Sequence, residues 1–388
     1  MLRFLTAGES HGPNLTLILE GFPAGLPLNS RDLSADLGRR QTGAGSGDRM
    51  KIENDSAQIT GGVLAGHTTG APIAITIPNK DFANWDKKSV EPMSIPRPGH
   101  ADLSAAIKYG YPDLRMGLER SSARETAARV AIGAVCRKLL GRYGVEIGSY
   151  ISQIATVLAD LTGLTLEERI QRAADSPVRC PDPEAAHQIQ QAIDIAASAG
   201  DTLGGVIELA ALHVPPGLGS HVHWDRKLDG RLAQALMSIP AIKAMEIGEG
   251  SGFAAGSGST SHDGIVLQEN KLVRTSNNAG GIEGGISNGE PVFVRLVMKP
   301  IATTRIGSPS VNLATGETAF SRYERSDVCP VPRAAVVGEA LIAFVLAGAL
   351  LEKIGGDTIT EMDEHWKHLR TGRLDELEVK DEPTVFWP

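Results

Sequence analysis

The sequence predicts an α+β protein in which helices pack against antiparallel sheets and two similar halves repeat one order of strands and helices. Three observations carry that reading. First, Gly61-Gly62-Val63 runs through Gly66, Gly70 and Pro72 into the alternating apolar positions Ile73, Ile75 and Ile77. At a constant offset of 219 residues, Gly280-Gly281-Ile282 runs through Gly285, Gly289 and Pro291 into Val292, Val294 and Leu296. Matched glycines and prolines that lead into matched period-two patterns mark a duplicated turn-and-strand unit. Second, each copy is followed by an Arg-Ser step and a long apolar stretch, Arg120-Ser121 in one half and Arg325-Ser326 in the other. Third, few helical segments separate the strand-like runs, which favours hairpins over parallel βαβ units.

Taken in order, Met1–Ala7 and Asn14–Glu20 read as strands and Ser30–Arg40 as a helix. Ser122–Leu140 and Pro332–Lys353 read as long buried helices. Within the latter, Ala334–Leu351 is apolar except for Glu339, long enough to raise the question of a membrane span. A single such segment, carrying Gly338 and Gly348 and flanked by Pro330 and Pro332, reads as a core helix, so no membrane association is expected. The chain reads as one domain, residues 1–388, with halves over about 1–150 and 204–355. The polar, helical stretch 155–203, broken at Cys180-Pro181-Asp182-Pro183, reads as a peripheral insertion. The charged tail 361–388 reads as partly mobile.

Composition narrows the function classes. With 41% hydrophobic and 22% charged residues the chain has the make-up of a globular protein. A formal net charge of −8 argues against a nucleic-acid binder, whose affinity comes from neutralising phosphates, yet leaves room for a local cationic pocket. Cys136, Cys180 and Cys329 are too few for a disulfide framework and lack a C-x-x-C pattern, so a reducing compartment, the cytoplasm, is expected. Met1–Gly8 is too short an apolar run for a signal peptide, and Glu9 follows it. Forty-four glycines beside 4% aromatics point to tight turns and close backbone approaches.

Several short motifs carry chemistry. Gly8-Glu9-Ser10-His11-Gly12-Pro13 lies between two strands, and its glycines let a loop approach a ligand closely while His11 offers a proton near neutral pH. A plain turn is the competing reading. Arg97-Pro98-Gly99-His100-Ala101-Asp102 presents a second histidine, His100, with a Pro-Gly turn as its alternative. In Arg120-Ser121-Ser122-Ala123-Arg124-Glu125-Thr126, Ser122 and Glu125 stand at capping-box spacing before an apolar run. Free backbone N–H groups there favour an anion, and Arg120 and Arg124 add bidentate donors; a well-capped helix with solvated arginines is the bland alternative. Arg39-Arg40-Gln41-Thr42-Gly43, followed by Gly45, Gly47 and Arg49, is a basic glycine-rich loop that is neither a Walker A nor a Rossmann fingerprint. Lys299-Pro300-Ile301-Ala302-Thr303-Thr304-Arg305 ends the repeated strand. Asp327, after Arg325-Ser326, is either a helix cap or a placed carboxylate base. His221 and His223 find no third ligand at useful spacing, so no metal is expected.

Together these motifs resemble the chorismate synthase family, in family order over almost the whole chain. The resemblance implies long central helices sandwiched between antiparallel β-sheets and a homotetramer. It implies a lyase of aromatic amino acid biosynthesis that eliminates phosphate from 5-enolpyruvylshikimate-3-phosphate, with reduced FMN as cofactor and no net redox change. By similarity Arg120, Ser121, Ser122, Pro240, Ala241, Gly284, Arg325 and the segment Lys299, Pro300, Ile301, Ala302 and Thr303 would hold the flavin. Ser10, Arg40, Ser46, Arg49 and Arg124 would bind the substrate's anionic groups. His11 would protonate the leaving phosphate, His100 would offset anionic charge on the flavin ring, and Asp327 would act through flavin N5 on the substrate proton. No dinucleotide-binding domain is visible, so an external flavin reductase, with NADPH as indirect reductant, is the implied partner. Three positions depart from the family pattern. Ser46 stands where many relatives carry a second arginine, Pro240 where an asparagine is expected, and Ala302 where a hydroxyl residue is expected. A phosphate-handling enzyme without flavin and a non-catalytic flavin- or nucleotide-binding module are the alternatives that the residues leave open.

Overall fold

The computed structural model describes residues 1–45, 55–324 and 326–387. In the first half, alternating runs form β1 (Arg3–Ala7), β2 (Asn14–Glu20), β3 (Gln58–Gly61), the two-residue strands β4 (Val63–Leu64) and β5 (His67–Thr68), and β6 (Ile73–Pro78). Helices α1 (Ser30–Gln41), α2 (Asp102–Tyr109), α3 (Arg115–Ser121) and α4 (Thr126–Arg142) complete it. The second half contains β7 (Glu146–Ile154), β8 (Val157–Leu158), α5 (Leu166–Asp175), α6 (Pro183–Ala199), β9 (Gly205–Leu212), α7 (Leu228–Met237) and β10 (Ile242–Ile247). It continues through α8 (Gly258–Ser261), β11 (Ile265–Gln268), β12 (Lys271–Arg274), β13 (Ile282–Glu283), β14 (Ile286–Ser287) and β15 (Val292–Met298). It closes with β16 (Pro309–Val311), β17 (Thr318–Phe320), α9 (Val331–Ile354) and α10 (Ile359–Trp366).

The two halves share one plan. One sheet has the order β1-β2-β6-β3, and the other, read from its far edge, β8-β7-β9-β15-β10. All their strand pairs are antiparallel. Leu19 faces Ile73 across β2 and β6, and Ala211 faces Val292 across β9 and β15, so register repeats as well as order. The tight β4–β5 and β13–β14 hairpins are locked alike. Thr68 Oγ1 donates to the Pro23 carbonyl (2.6 Å) and accepts from the Leu26 N–H (2.9 Å). Ser287 Oγ donates to the Pro215 carbonyl (2.6 Å) and accepts from the Leu218 N–H (2.8 Å).

Period-two patterning buries one face of each sheet: Leu15, Leu17 and Leu19 with Ile73, Ile75 and Ile77 on one side, Ile207 and Leu209 with Val292, Val294 and Leu296 on the other. Against those faces lie α4, which touches β1 and β2, and α9, which touches β7 and β9. The two helices pack on each other, flanked by α1 and α7. Their crossing is close because Gly133 of α4 meets Ala340 of α9, where any Cβ on Gly133 would collide. Helix α9 is long and apolar enough to cross a membrane, yet most of it is buried in this core.

Glu339, the charge inside that apolar helix, has a structural reason to be there. It accepts from Arg39 of α1 (2.8 Å), Arg137 of α4 (2.6 Å) and Ser149 of β7 (2.5 Å), tying both halves together. Burial alone would raise its pKa, but the arginines outweigh burial and hold it down at about 2.

One local boundary differs from the sequence reading. The expected helix from Ser122 is divided: α3 ends at Ser121, a 3₁₀ turn covers Ala123–Glu125, and α4 starts at Thr126. Ser122 caps only that short turn, and Glu125 turns instead to Thr6 and Arg129, so no capping box forms. Part of the charged tail is docked. Leu272 N–H donates to the Gly372 carbonyl, and Leu374 N–H donates to the Asn270 carbonyl, both at 2.9 Å, fastening the tail to the β11–β12 hairpin. Residues 155–203 form β8, α5 and α6 between β7 and β9, where the first half has only the Gly8–Pro13 turn between β1 and β2.

Candidate active site

Loops from both halves converge on one cavity of about 700 Å³, within the span of about 300–1,000 Å³ that small-molecule sites occupy. The Gly8–Pro13 turn brings Ser10 and His11, the loop before α2 brings Arg97 and His100, and the α3–α4 junction brings Ser121, Ser122 and Arg124. From the second half, the chain leaving β15 brings Lys299, Ile301, Ala302 and Thr303, and the chain entering α9 brings Asp327. Pro240 and Ala241 close one wall, and Arg40 from the last turn of α1 closes another. Both central helices begin here, since Arg124 and Pro330 border the starts of α4 and α9, so two positive helix ends reinforce the cationic lining.

His11 is held on several sides. Its Nδ1 lies 2.6 Å from Glu119 Oε1, its backbone N–H donates to Glu119 Oε2 at 2.8 Å, and its ring lies 4.0 Å from the Trp85 ring. Burial pushes the Glu119 carboxyl up, but hydrogen bonds from His11 outweigh it and leave the pKa lowered. An ionised carboxylate can only accept, so Nδ1 carries the proton. His100 has a parallel arrangement, with Nδ1 2.5 Å from Asp102 Oδ1. Asp102 also receives the Arg97 Nε–H (2.8 Å) and Nη2–H (2.9 Å), while Arg97 Nη1 donates to Thr303 Oγ1 at 3.1 Å. Despite full burial, these donors hold the Asp102 carboxyl far below the usual carboxylate range.

Arg40 and Arg124 both engage Asp55. Arg124 Nη1 donates to Asp55 Oδ1 at 2.5 Å, and Arg40 Nη1 reaches Asp55 Oδ2 at 3.5 Å. Arg40 also donates to the Thr126 hydroxyl (3.1 Å) and the Ala123 carbonyl (2.9 Å). Asp55 thereby helps to fix both guanidiniums at the cavity wall. Asp327 accepts from Arg333 Nη1 at 2.5 Å, placing it at the start of α9 as a paired carboxylate and not as a helix cap, since α9 has no side-chain cap. The opposite wall is shaped by backbone. Ala241 takes φ +68°, a left-handed conformation that costs a non-glycine residue energy, and its carbonyl accepts the Lys299 N–H at 3.0 Å. Lys299 Nζ then donates to the Gly99 carbonyl at 2.6 Å, joining this wall to the His100 loop.

Of the residues singled out in the sequence, three do not line this cavity. Arg120 turns toward β1, donating to the Thr6 carbonyl (2.9 Å), the Thr6 hydroxyl (2.8 Å) and the Gly8 carbonyl (3.3 Å). Pro300 packs its ring against Gly204, and Gly284 sits in the β13–β14 turn. Ser46, Arg49 and Arg325 lie outside the described residues. The sequence motifs do not include Glu119, Trp85, Asp55 or Arg333, and they contain Arg97, Asp102 and Arg305 only as the ends of longer stretches. A buried Asp or Arg beside a motif was the available signal for Arg97 and Asp102; Glu119 and Asp55 gave none, because their partners are remote in the chain.

Comparison with known proteins agrees with this arrangement. The chorismate synthase family model matches residues 2–351. A chorismate synthase of Aquifex aeolicus is 51% identical over 384 residues, covering 94% of this chain and 96% of that protein. One of Moorella thermoacetica is 51% identical over 373 residues, covering 94% and 97%. A solved structure described as the crystal structure of chorismate synthase superposes with a TM-score of 0.78 at 44% identity, covering 95% of this chain and 96% of that one. A family pattern that spans both halves of the cavity, shared with relatives matched along nearly their full length, means that the chain belongs to the chorismate synthase family.

Proposed function

We propose that this enzyme, a carbon–oxygen lyase acting on a phosphate ester, makes chorismate by anti-1,4-elimination of phosphate from 5-enolpyruvylshikimate-3-phosphate with reduced FMN present. The observation that carries the reading is the gathering of His11, His100 and Asp327 from three separate segments around one cavity walled by arginines. The cavity suits a flavin as well as the substrate. Leu118, Met298, Ile301 and Ala302 offer apolar surface for a ring system, and Ser121, Ser122 and Lys299 offer donors for its polar edges. The chemistry that reduced FMN supplies when bound is reversible donation of electron density to the cleaving allylic system, with no net oxidation.

The chain's own residues do the rest. Arg40 and Arg124, fixed by Asp55, and the starts of α4 and α9 attract the substrate's phosphate and carboxylates. As the C–O bond to phosphate breaks, negative charge collects on the departing oxygen, where this preset cationic wall is most stabilising. His11, as an imidazolium whose Nδ1–H is held by Glu119, would give its Nε2 proton to that oxygen and be left as the neutral Nδ1–H ring. His100, backed by Asp102 and Arg97, supplies positive charge beside an anionic ring. Asp327 is the carboxylate that receives the proton lost from the substrate, steered by Arg333. Pro240 and Ala241, which line the cavity, belong to the flavin site in this reading together with Arg325. The resemblance adds Arg120, Gly284 and Pro300, which lie outside the cavity lining and could act on the flavin only from behind it. It gives Ser10, Ser46 and Arg49 to the substrate site. The reading includes cytoplasmic location, a homotetramer, and reduced flavin supplied by a separate reductase that draws on NADPH. Light scattering of the purified protein tests the tetramer.

The activity is tested by mixing the protein anaerobically with FMN, dithionite and the shikimate ester. Chorismate absorbance that appears only with reduced flavin supports the reading. Phosphate release without flavin, or flavin binding without turnover, sinks it.

A further inference from the structure

The geometry points to Glu119 as a positioning residue that sets which nitrogen of His11 carries the proton and where the ring faces. This inference rests on the proposed role of His11 as proton donor. Glu119 is the one acidic residue of α3, 108 residues from His11 in sequence, and its carboxylate makes two contacts to that one residue. Oε1 takes the ring Nδ1 at 2.6 Å and Oε2 takes the backbone N–H at 2.8 Å. The Glu119 backbone joins in, since its carbonyl accepts the Ser10 N–H at 3.0 Å. On the other side Trp85 covers the imidazole, rings 4.0 Å apart and tilted by 32°. Trp85 is itself anchored by its indole N–H on Asp81 Oδ2 at 3.1 Å, and Asn79 Nδ2 donates to the Ser10 and Gly12 carbonyls on either side of His11.

The brace does two things for a proton donor. It holds the Nδ1 proton against Glu119, so that the proton an imidazolium gives up is the one on Nε2. It also sets a negative charge behind the ring, balancing the positive charge that a donating imidazolium carries. Because both His11 groups facing Glu119 are donors, a carboxylate satisfies them together and an amide cannot.

That asymmetry supplies the test. In Glu119→Gln the amide oxygen can keep the backbone N–H, but its NH₂ then faces Nδ1 and drives the ring proton to Nε2. Imidazole ¹⁵N shifts of His11 in the unliganded protein, followed to high pH where the ring is neutral, should report the Nδ1–H tautomer in the wild type and the Nε2–H tautomer in Glu119→Gln. Turnover of the variant should fall by about 10²-fold or more, with flavin affinity and KM within about twofold of wild type. Glu119→Asp, which keeps two acceptor oxygens, should keep the Nδ1–H ring and recover at least about tenfold of the lost turnover. An Nε2–H ring in the wild type, wild-type turnover in Glu119→Gln, or an Asp variant no better than Gln overturns the inference. Absence of chorismate formation by the wild type would instead overturn the functional reading, and the tautomer measurement would still decide the role of Glu119.

Discussion

His11 and Asp327 occupy opposite halves of the fold, yet each is paired with a group of opposite character, Glu119 behind the imidazole and Arg333 beside the carboxylate. Such pairing sorts donor from acceptor before any ligand arrives. His11→Ala and Asp327→Asn should therefore each lower turnover by about 10²-fold or more, with unchanged circular dichroism and flavin titration. Wild-type rates in either variant would remove that residue from proton transfer. The two histidines stood out in the sequence because glycines flank them, and Asp327 because it follows the second Arg-Ser step. Their partners did not, because a carboxylate that meets His11 only after α3 folds against the β1–β2 turn leaves no local spacing to read. Asp55 is the same case, since its arginines come from α1 and the α3–α4 junction.

Among the elements, α9 and its crossing with α4 hold the two sides of the cavity in register. Gly133→Ala sets two effects against each other. A helix gains about 1 kcal/mol when glycine becomes alanine, whereas forcing a methyl into a filled core costs about 1–3 kcal/mol or more. Here the new Cβ would meet Ala340 backbone as well as its side chain, which cannot rotate away, so the clash wins. Urea unfolding should show net destabilisation; a midpoint equal to or above wild type would mean that the helices separate at no cost. Glu339 gives a pH signature. Its folded pKa is held at about 2 against an ordinary 4.5, so its contribution is complete above about pH 4.5 and is lost as pH falls from there toward 2. Glu339→Gln should lose about 3 kcal/mol at pH 7, the lower end for breaking a buried ion pair, because Asp36 still engages Arg39 and Arg137. Its stability should then fall less steeply than wild type between pH 4.5 and 3. Equal acid slopes would show that Glu339 does not govern that window. The break between α3 and α4 was hidden from sequence reasoning because Ser122 and Glu125 mimic a capping box, while Glu125 is drawn off by Thr6 and Arg129.

For the whole molecule, duplication explains why so much of the architecture could be read from sequence. Gly62 and Gly281 take φ of +80° and +75°, and Gly66 and Gly285 take +78° and +85°, conformations that keep glycine at fixed places in both hairpins. A second echo, Pro23, Gly25 and Leu26 against Pro215, Gly217 and Leu218, runs at a different offset because the chain between Leu218 and Gly280, which holds α7, β10 and the β11–β12 hairpin, is longer than the chain between Leu26 and Gly61, and that shift concealed it. Thr68 and Ser287 sit at the meeting points of these echoes, each buried and each bonded both to a proline carbonyl and to a leucine N–H. Removing either hydroxyl strands two buried backbone groups, so Thr68→Val and Ser287→Ala should each cost about 1–3 kcal/mol. If the halves are equivalent in energy as well as in shape, the two losses should be similar. The hydroxyls have no shared partner and sit in different hairpins, so the double variant should lose the sum within about 0.5 kcal/mol. Guanidinium unfolding of the four proteins decides it: a large loss from one hydroxyl and none from the other would mean that the repeat survives in geometry but no longer in stability.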